Sequence, residues 1–290
     1  MATAAATGER ERHAVSARSI TDRAVLARFL GRDRLFAAYA LCDLEDREFA
    51  RSRWGAAWAG DDLIAVVMEY AGLSPQPLFA MGAPEGVDRI LTDLIRPRAA
   101  YLAARPDILP VAARHYRIEG GPPMVRMWVD EASFRPAPGA VQRLGPADIG
   151  ELNRLYQLGL ASWLPASAIS EGVYYGLRMN GSLVAAAGTH VISPTARLAI
   201  VGNVYTHAGH RGRGFGKAVA SAVTAELLNF CDQVALNVRS DNPPALQAYR
   251  RLGYQEHARF EERLVHRTGS PWPMLATLRR FFAARENPSR

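Results

Sequence analysis

Two segments decide how the chain is read: Leu198-Ala-Ile-Val-Gly-Asn-Val-Tyr-Thr206 and, after four intervening residues, Arg211-Gly212-Arg213-Gly214-Phe215-Gly216-Lys217. The first is a mostly apolar run of strand length. The second is a glycine-rich loop. A helix over Lys217–Phe230 follows, because Val219, Val223, Leu227 and Phe230 recur at helical spacing. A loop of this kind at a helix start leaves backbone N–H groups unpaired. Together with the helix dipole they form an anion site that glycine lets phosphate approach closely. Arg211, Arg213 and Lys217 add positive charge around it. Lys217 is followed by Ala218, so no hydroxyl stands where a Walker A loop needs one for Mg²⁺. The third glycine comes one residue too early for a dinucleotide fingerprint. A plain strand-to-helix turn remains an alternative. An Arg-Gly nucleic-acid segment is less apt, since those are long and repetitive and this one is a single copy.

Outward from this centre the second half reads as alternating elements. Val141–Leu144 is a strand and Pro146–Leu158 a helix, with proline at a permitted first-turn position. Val173–Met179 and Ser182–Val191 are strands around Asn180-Gly181, a strong hairpin signal. Gln233–Arg239 is a strand. Pro243–Leu252 is a helix with Asn242 as N-cap and Gly253 as a left-handed C-terminal cap. Tyr254–Val265 is a last strand. Ala245, Ala248, Tyr249 and Leu252 share one face of their helix, which by periodicity alone makes Tyr249 a core tyrosine.

Arg211-x-x-Gly214-x-Gly216 resembles the Arg/Gln-x-x-Gly-x-Gly/Ala signature of the GNAT superfamily of N-acetyltransferases. Asn242-x-x-Ala245-x-x-x-Tyr249-x-x-x-Gly253-Tyr254 is similar to a second motif of that family, and the two stand in the family's order. The resemblance covers roughly residues 140–265. It implies an α/β (α+β) fold: a mixed, mostly antiparallel sheet flanked by helices. It also implies acetyl-CoA as cosubstrate, with no metal. Arg211, Gly212, Arg213, Gly214, Phe215, Gly216 and Lys217 would hold the pyrophosphate. Val204, Tyr205 and Thr206 would hold the thioester and pantetheine arm, and Asn242 and Tyr249 would face the sulfur. Tyr249 would be the general acid for the departing thiolate. Acetyl would pass directly to a primary amine, a small molecule or a peptide. The general base is open, because the strand Leu198–Thr206 carries no Asp or Glu; Asn203, Tyr205, His207 and His190 are the candidates. A non-catalytic acyl-CoA-binding regulator on the same fold is the alternative function.

In the first half, Thr21–Leu30 and Asp33–Leu44 have helical spacing. Trp54–Ala59 and Leu63–Tyr70 flank a Gly60-Asp61-Asp62 turn, Pro77–Met81 is a short apolar run, Gly86–Ile95 is amphipathic, and Val125–Val129 is a strand. The order repeats that of the second half, which suggests an internal duplication or a coincidence of common α/β elements. Where a phosphate loop would fall stands Met81-Gly82-Ala83-Pro84-Glu85-Gly86, with an acid in place of cations. A degenerate GNAT-like domain is therefore expected over 19–138, ending in the Pro136/Pro138 linker, with the acetyltransferase domain over 139–268. Residues 1–18 read as a flexible arm. Residues 269–290 read as an amphipathic tail that suits packing on its own protein or on a second subunit in a homodimer, with a membrane-surface helix as the alternative.

Composition sets wider bounds. The 290 residues hold 49% hydrophobic and 22% charged residues, which excludes wholesale disorder. Lys+Arg 35 against Asp+Glu 28 gives +7, which favours an anionic partner without requiring nucleic acid. Cys42 and Cys231 sit in apolar surroundings and read as buried thiols of a cytoplasmic protein. No apolar run reaches the roughly 18–20 residues of a spanning helix.

Overall fold

The two halves of the chain follow the same order of elements. In a computed structural model, which describes residues 14–157 and 164–268, the first half contains β1 (Val15–Ser19), α1 (Arg23–Leu30), α2 (Ala38–Cys42), α3 (Asp46–Phe49), β2 (Ser52–Ala59), β3 (Asp62–Tyr70), β4 (Gln76–Gly82), α4 (Pro84–Asp93), β5 (Ala99–Ala104), α5 (Leu109–His115), β6 (Tyr116–Ile118) and β7 (Met124–Val129). The second contains β8 (Val141–Arg143), α6 (Ile149–Leu155), α7 (Ala166–Glu171), β9 (Tyr175–Met179), β10 (Ser182–Ser193), β11 (Leu198–Thr206), α8 (Phe215–Leu228), β12 (Gln233–Arg239), α9 (Pro243–Arg251) and β13 (Gln255–Arg267).

Local chemistry sets several of these boundaries. The Asp22 carboxylate accepts from the Val25 N–H at 3.0 Å and starts α1. Asn180 and Gly181 both have positive φ, 50° and 81°, as a two-residue turn between β9 and β10 requires. Gly253 ends α9 at φ 91°; a Cβ there would lie 1.9 Å from the Ser133 carbonyl oxygen.

Strands β1 to β4 pair antiparallel in sequence order, and β4 then pairs parallel with β5. Strands β8 to β12 repeat that plan: three antiparallel pairings, then β11 parallel to β12. The halves are joined by a reciprocal exchange. β7, from the first half, lies between β12 and β13 of the second. The far end of β13, Glu261–His266, pairs with β5, and its last residues pair with β6. One mixed sheet therefore runs through the whole molecule.

Helices cover both faces. Val219, Val223 and Leu227 of α8, with Leu246 and Tyr249 of α9, pack on Val201, Leu236 and Met127. On the opposite face Leu198, Ile200, Ala235 and Phe260 pack against Leu26, Phe29, Phe36 and Leu41 from α1, α2 and the turn between them. First-half helices thus roof the second-half sheet. Each side chain of this size that is fully buried contributes about 1.5–3 kcal/mol of transfer free energy. Cys42 and Cys231 are buried free thiols, and burial pushes the Cys231 thiol up to about 11.

Some elements depart from the sequence reading. Val15–Arg18, within the arm expected over 1–18, belongs to strand β1 on β2, and residues 1–13 of that arm lie outside the described residues. Phe230 lies past the end of α8 and is 39% exposed, so it is not part of the buried stripe. Of the helix expected over 146–158, Pro146–Asp148 is a 3₁₀ turn and Ile149–Leu155 is α6, while Leu158 lies outside the described residues. Strand β5 and helices α5 and α7 had no counterpart in the reading. Ala99-Ala-Tyr-Leu-Ala-Ala104 has weak strand propensity, and its pairing with β4 and β13 makes it a strand. The tail over 269–290 lies outside the described residues. Among the described residues no helix is long and apolar enough to cross a membrane.

Candidate active site

The parallel pairing of β11 with β12 covers Leu198–Val201 against Gln233–Leu236 and stops there. Beyond it both strands continue, to Thr206 and to Arg239, without pairing to each other. The sheet is split at this point, and one edge of β11 is open from Gly202 onward. Two bulges sit at the split. β11 carries an extra residue between Gly202 and Tyr205, and β10 carries one between Thr189 and Val191, namely His190. Asn203 takes the left-handed conformation, φ 52°, which Asn tolerates better than most residues. Gly202 leaves room for the imidazole: a Cβ there would lie 2.1 Å from His190 Nε2.

A chain of hydrogen bonds runs beside the split, from α2 to β10 and β11. Tyr39 Oη on α2 lies 2.6 Å from His190 Nδ1, and His190 Nε2 lies 3.2 Å from Asn203 Oδ1. Asn203 Nδ2 donates to the Tyr174 hydroxyl at 3.2 Å, which donates to the Thr189 carbonyl at 3.1 Å. The Asn203 carbonyl accepts from the Tyr156 hydroxyl at 2.7 Å. Solvent reaches the His190 side chain, yet protein crowds it so closely that desolvation holds its pKa below the ordinary imidazole value, against the opposing pull of the Asn203 hydrogen bond. The other nominated bases are engaged locally. The His207 side chain accepts from Gly209 N–H and its ring stacks edge-on against His210. The Tyr205 ring meets Tyr156 edge-on and lies beneath Arg211.

The glycine loop opens beside the end of β11. Gly212 and Gly214 have φ 77° and 80°, and no heavy atom lies within 4 Å of a Cβ built at either. Gly214 caps α8 without any side-chain bond, so the N–H groups of Phe215, Gly216 and Lys217 have no acceptor among the described residues. The same holds for Gly212, Arg213 and Gly214. Gly216 faces Thr206: a Cβ there would stand 3.0 Å from Thr206 Oγ1. Arg211 turns back to donate from Nε to the Thr206 carbonyl at 3.2 Å. Arg213 and Lys217 form no ion pair with any described residue. Six free donors and two free cations therefore face solvent together. The first-half counterpart is closed. Gly82 and Gly86 pack against β3, where Cβ atoms would fall 2.2 Å from the Ile64 carbonyl oxygen and 2.7 Å from Ala65 Cβ, and α4 begins at Pro84, which has no N–H.

Tyr249, on α9, belongs to the apolar cluster against which Val204 of β11 and Phe215 at the start of α8 pack. Its ring is 8% exposed and tilts against Tyr254. Burial alone pushes its phenol up to about 12. Its hydroxyl bonds to no described group and is not sealed from solvent, whereas the Tyr254 hydroxyl is tied to Thr224 at 2.8 Å. Asn242 caps α9 by accepting from Ala245 N–H at 3.3 Å.

A family model described as FR47-like protein matches residues 174–264. Over 125 residues the chain is 32% identical to N-alpha-acetyltransferase RimI of Mycobacterium tuberculosis, a match covering 40% of this chain and 77% of that protein. The chain belongs to the GNAT family of acyltransferases. Two similar solved structures carry the fold over most of the chain. A GCN5-related N-acetyltransferase of Sphaerobacter thermophilus has a TM-score of 0.60 at 15% identity, covering 89% of this chain and 96% of that one. A tandem GNAT protein of the clavulanic acid biosynthesis pathway has a TM-score of 0.56 at 13% identity, covering 89% and 100%.

As a GNAT chain, the protein keeps the residues read from its motifs on three neighbouring elements: the end of β11, the loop before α8, and α9. The residue that sequence reading missed is Tyr39. It stands 151 positions from its partner His190 and reads as one more aromatic on an apolar helix.

Proposed function

We propose that this chain is a cytoplasmic enzyme that transfers the acetyl group of acetyl-CoA directly to a primary amine. The observation that carries this reading is the run of unpaired N–H groups from Gly212 to Lys217, open to solvent beside the split between β11 and β12. The fit to a pyrophosphate is good. The donors have no protein acceptor, glycine leaves the backbone bare, and Arg213 and Lys217 are free to pair with phosphate oxygens. Arg211, held on the Thr206 carbonyl, adds charge from the β11 side. Val204, Tyr205 and Thr206 would line the thioester arm, with Phe215 and Asn242 at its flanks.

Acetyl-CoA would supply an activated acyl carbon and a thiol leaving group. The rest is work for this chain's residues. The open edge of β11 past Val201 presents backbone N–H groups to a carbonyl oxygen as negative charge builds on it. Tyr249 holds its proton throughout the physiological range and has no competing partner, so it can donate to the departing sulfur. No nucleophilic cysteine takes part; Cys42 and Cys231 are buried in the cores.

The Mycobacterium tuberculosis relative is named for acetylation of α-amines, so peptides with a free N-terminus head the list of acceptors, followed by small primary amines. The test is thiol release from acetyl-CoA across such a panel. Release above the hydrolytic background with at least one amine class is expected. Tight acetyl-CoA binding with no release on any amine would instead favour a non-catalytic acyl-CoA-binding regulator.

A further inference from the structure

The polar chain that begins at Tyr39 joins the two halves at the split in the sheet. We propose that Tyr39 and His190 together accept the proton of the acceptor amine, so that the first half of the chain supplies a catalytic group to the site in the second. This rests on the acetyltransfer reading above.

Only one direction of donors satisfies the whole chain. The Tyr174 hydroxyl gives its proton to the Thr189 carbonyl, so it accepts from Asn203 Nδ2. Asn203 Oδ1 then faces His190 Nε2 and must accept from it. Nδ1 of the same neutral imidazole is left as an acceptor, which takes the Tyr39 proton at 2.6 Å. The Tyr39 oxygen keeps its lone pairs for a donor from outside, and Tyr39 is partly open to solvent. An N–H of the attacking amine is such a donor.

The transfer balances. As the amine nitrogen forms the new C–N bond and the C–S bond breaks, the amine proton passes to Tyr39 Oη. The Tyr39 proton moves to His190 Nδ1, and the imidazolium is held by Asn203 Oδ1. Solvent-exposed His190 then returns one proton to water. Tyr249 gives a separate proton to the thiolate and regains one from solvent. Tyr39 is the residue that touches substrate; His190 acts through it.

The surroundings support this direction. The Arg126 guanidinium is buried, 5.4 Å from the ring centroids of both Tyr39 and Phe260, and its charge favours transient phenolate character on Tyr39. Its Nη1 donates to the Leu35 carbonyl at 2.9 Å and its Nε has no partner among the described residues. The other charged or titratable groups acting on the pair are Cys42 and Asp43 from α2 and its end, and Glu262 from β13, all of which oppose a phenolate. Burial far outweighs these charges for Tyr39 and keeps it neutral at rest. The bulges that carry His190 and Asn203 fall where β11 pairs with β10, beside the stretch of β11 whose other edge is left open past Val201 and where the acyl carbonyl would be polarised.

Steady-state kinetics with a working acceptor, on wild type, Tyr39→Phe and His190→Gln, tests the assignment, with acetyl-CoA calorimetry and circular dichroism as controls. Tyr39→Phe keeps ring and packing, so acetyl-CoA affinity should stay within about twofold while kcat falls by about 10²-fold or more. The acid limb of the kcat profile, set by His190, should vanish in His190→Gln. A second variant guards against a folding defect. Asn203→Asp would set a carboxylate on Nε2, raise the imidazole pKa and move the acid limb to higher pH. Wild-type kcat in Tyr39→Phe, or an unmoved acid limb in both His190→Gln and Asn203→Asp, overturns the relay and leaves acetyltransfer standing. A wild type that acetylates no amine overturns both.

Discussion

His190 is the extra residue of a bulge in β10, Asn203 is one of the two β11 residues that bulge opposite Ala187, and His190 Nε2 stands 3.2 Å from Asn203 Oδ1. Neither bulge alone would bring the pair together. Regular pairing of β10 with β11 would leave no extra residue on either strand. The contact also needs a glycine at 202, because the imidazole occupies the space of its missing side chain.

Gly202→Ala should therefore break the pair. The new Cβ would fall 2.1 Å from His190 Nε2, inside van der Waals contact, so the ring must move. Long-range ¹H–¹⁵N spectra of the histidines should show His190 losing its Nε2–H tautomer preference, with kcat lowered by tenfold or more. An unchanged His190 spectrum in the variant would show that the ring does not sit over Gly202.

Tyr249→Phe removes a hydroxyl with no protein partner, so Tm should change by no more than about 1–2 °C, since no net hydrogen bond of about 0.5–1.5 kcal/mol is lost. Affinity for acetyl-CoA should persist and kcat should fall by about 10²–10⁴-fold. Steady-state kinetics and one melting curve separate this from a purely packing role, for which kcat would stay at the wild-type value.

Asp43 gives the fold a pH dependence. Burial, reinforced by Glu48, pushes its carboxyl up to about 7. The native state then holds a proton that the unfolded chain has lost between its ordinary value, 3.8, and about 7. With fewer protons bound in the unfolded state, this group's contribution to stability falls as pH rises through that window. Asp43→Asn should raise stability at pH 8 by on the order of 2 kcal/mol and leave it unchanged near pH 3.5. Urea titrations at the two pH values would show it; equal stabilisation at both would contradict the assignment.

The strand exchange bears on folding. A fragment of residues 139–268 lacks β7, which lies between β12 and β13. That fragment should be insoluble or molten, while the whole chain should unfold in one cooperative transition. A monomeric fragment with sharp near-ultraviolet circular dichroism would show that the second half folds without β7.

Much of this was legible locally. Leu198–Thr206 and Gln233–Arg239 are strands over the whole of their expected ranges. Glycine, charge and turn residues bound each run on both sides, so the local signal and the fold agree. The α8 loop and the caps at Asn242 and Gly253 were readable for the same reason: one residue type does one backbone task. What was not legible depends on partners distant in sequence. Four of the six residues of strand β5 are alanine, and it owes its form to neighbours on both sides. The exchange of β7 and β13 depends on pairings between Met124–Val129 and residues more than 100 positions away. Tyr39 carries no local mark; its meeting with His190 follows from α1 and α2 packing over the other half's sheet.

The central claim is that the loop before α8 holds the pyrophosphate of acetyl-CoA, and calorimetric titration of wild type and Gly214→Val with acetyl-CoA tests it most directly. Gly214 sits at φ 80° with open space around its Cα, where a β-branched side chain is strained and would stand in the path of the phosphates. Wild type should bind acetyl-CoA, with an affinity that weakens as salt is raised. The variant, folded by circular dichroism, should bind at least tenfold more weakly. Equal affinity in a folded Gly214→Val protein would contradict the assignment of this loop.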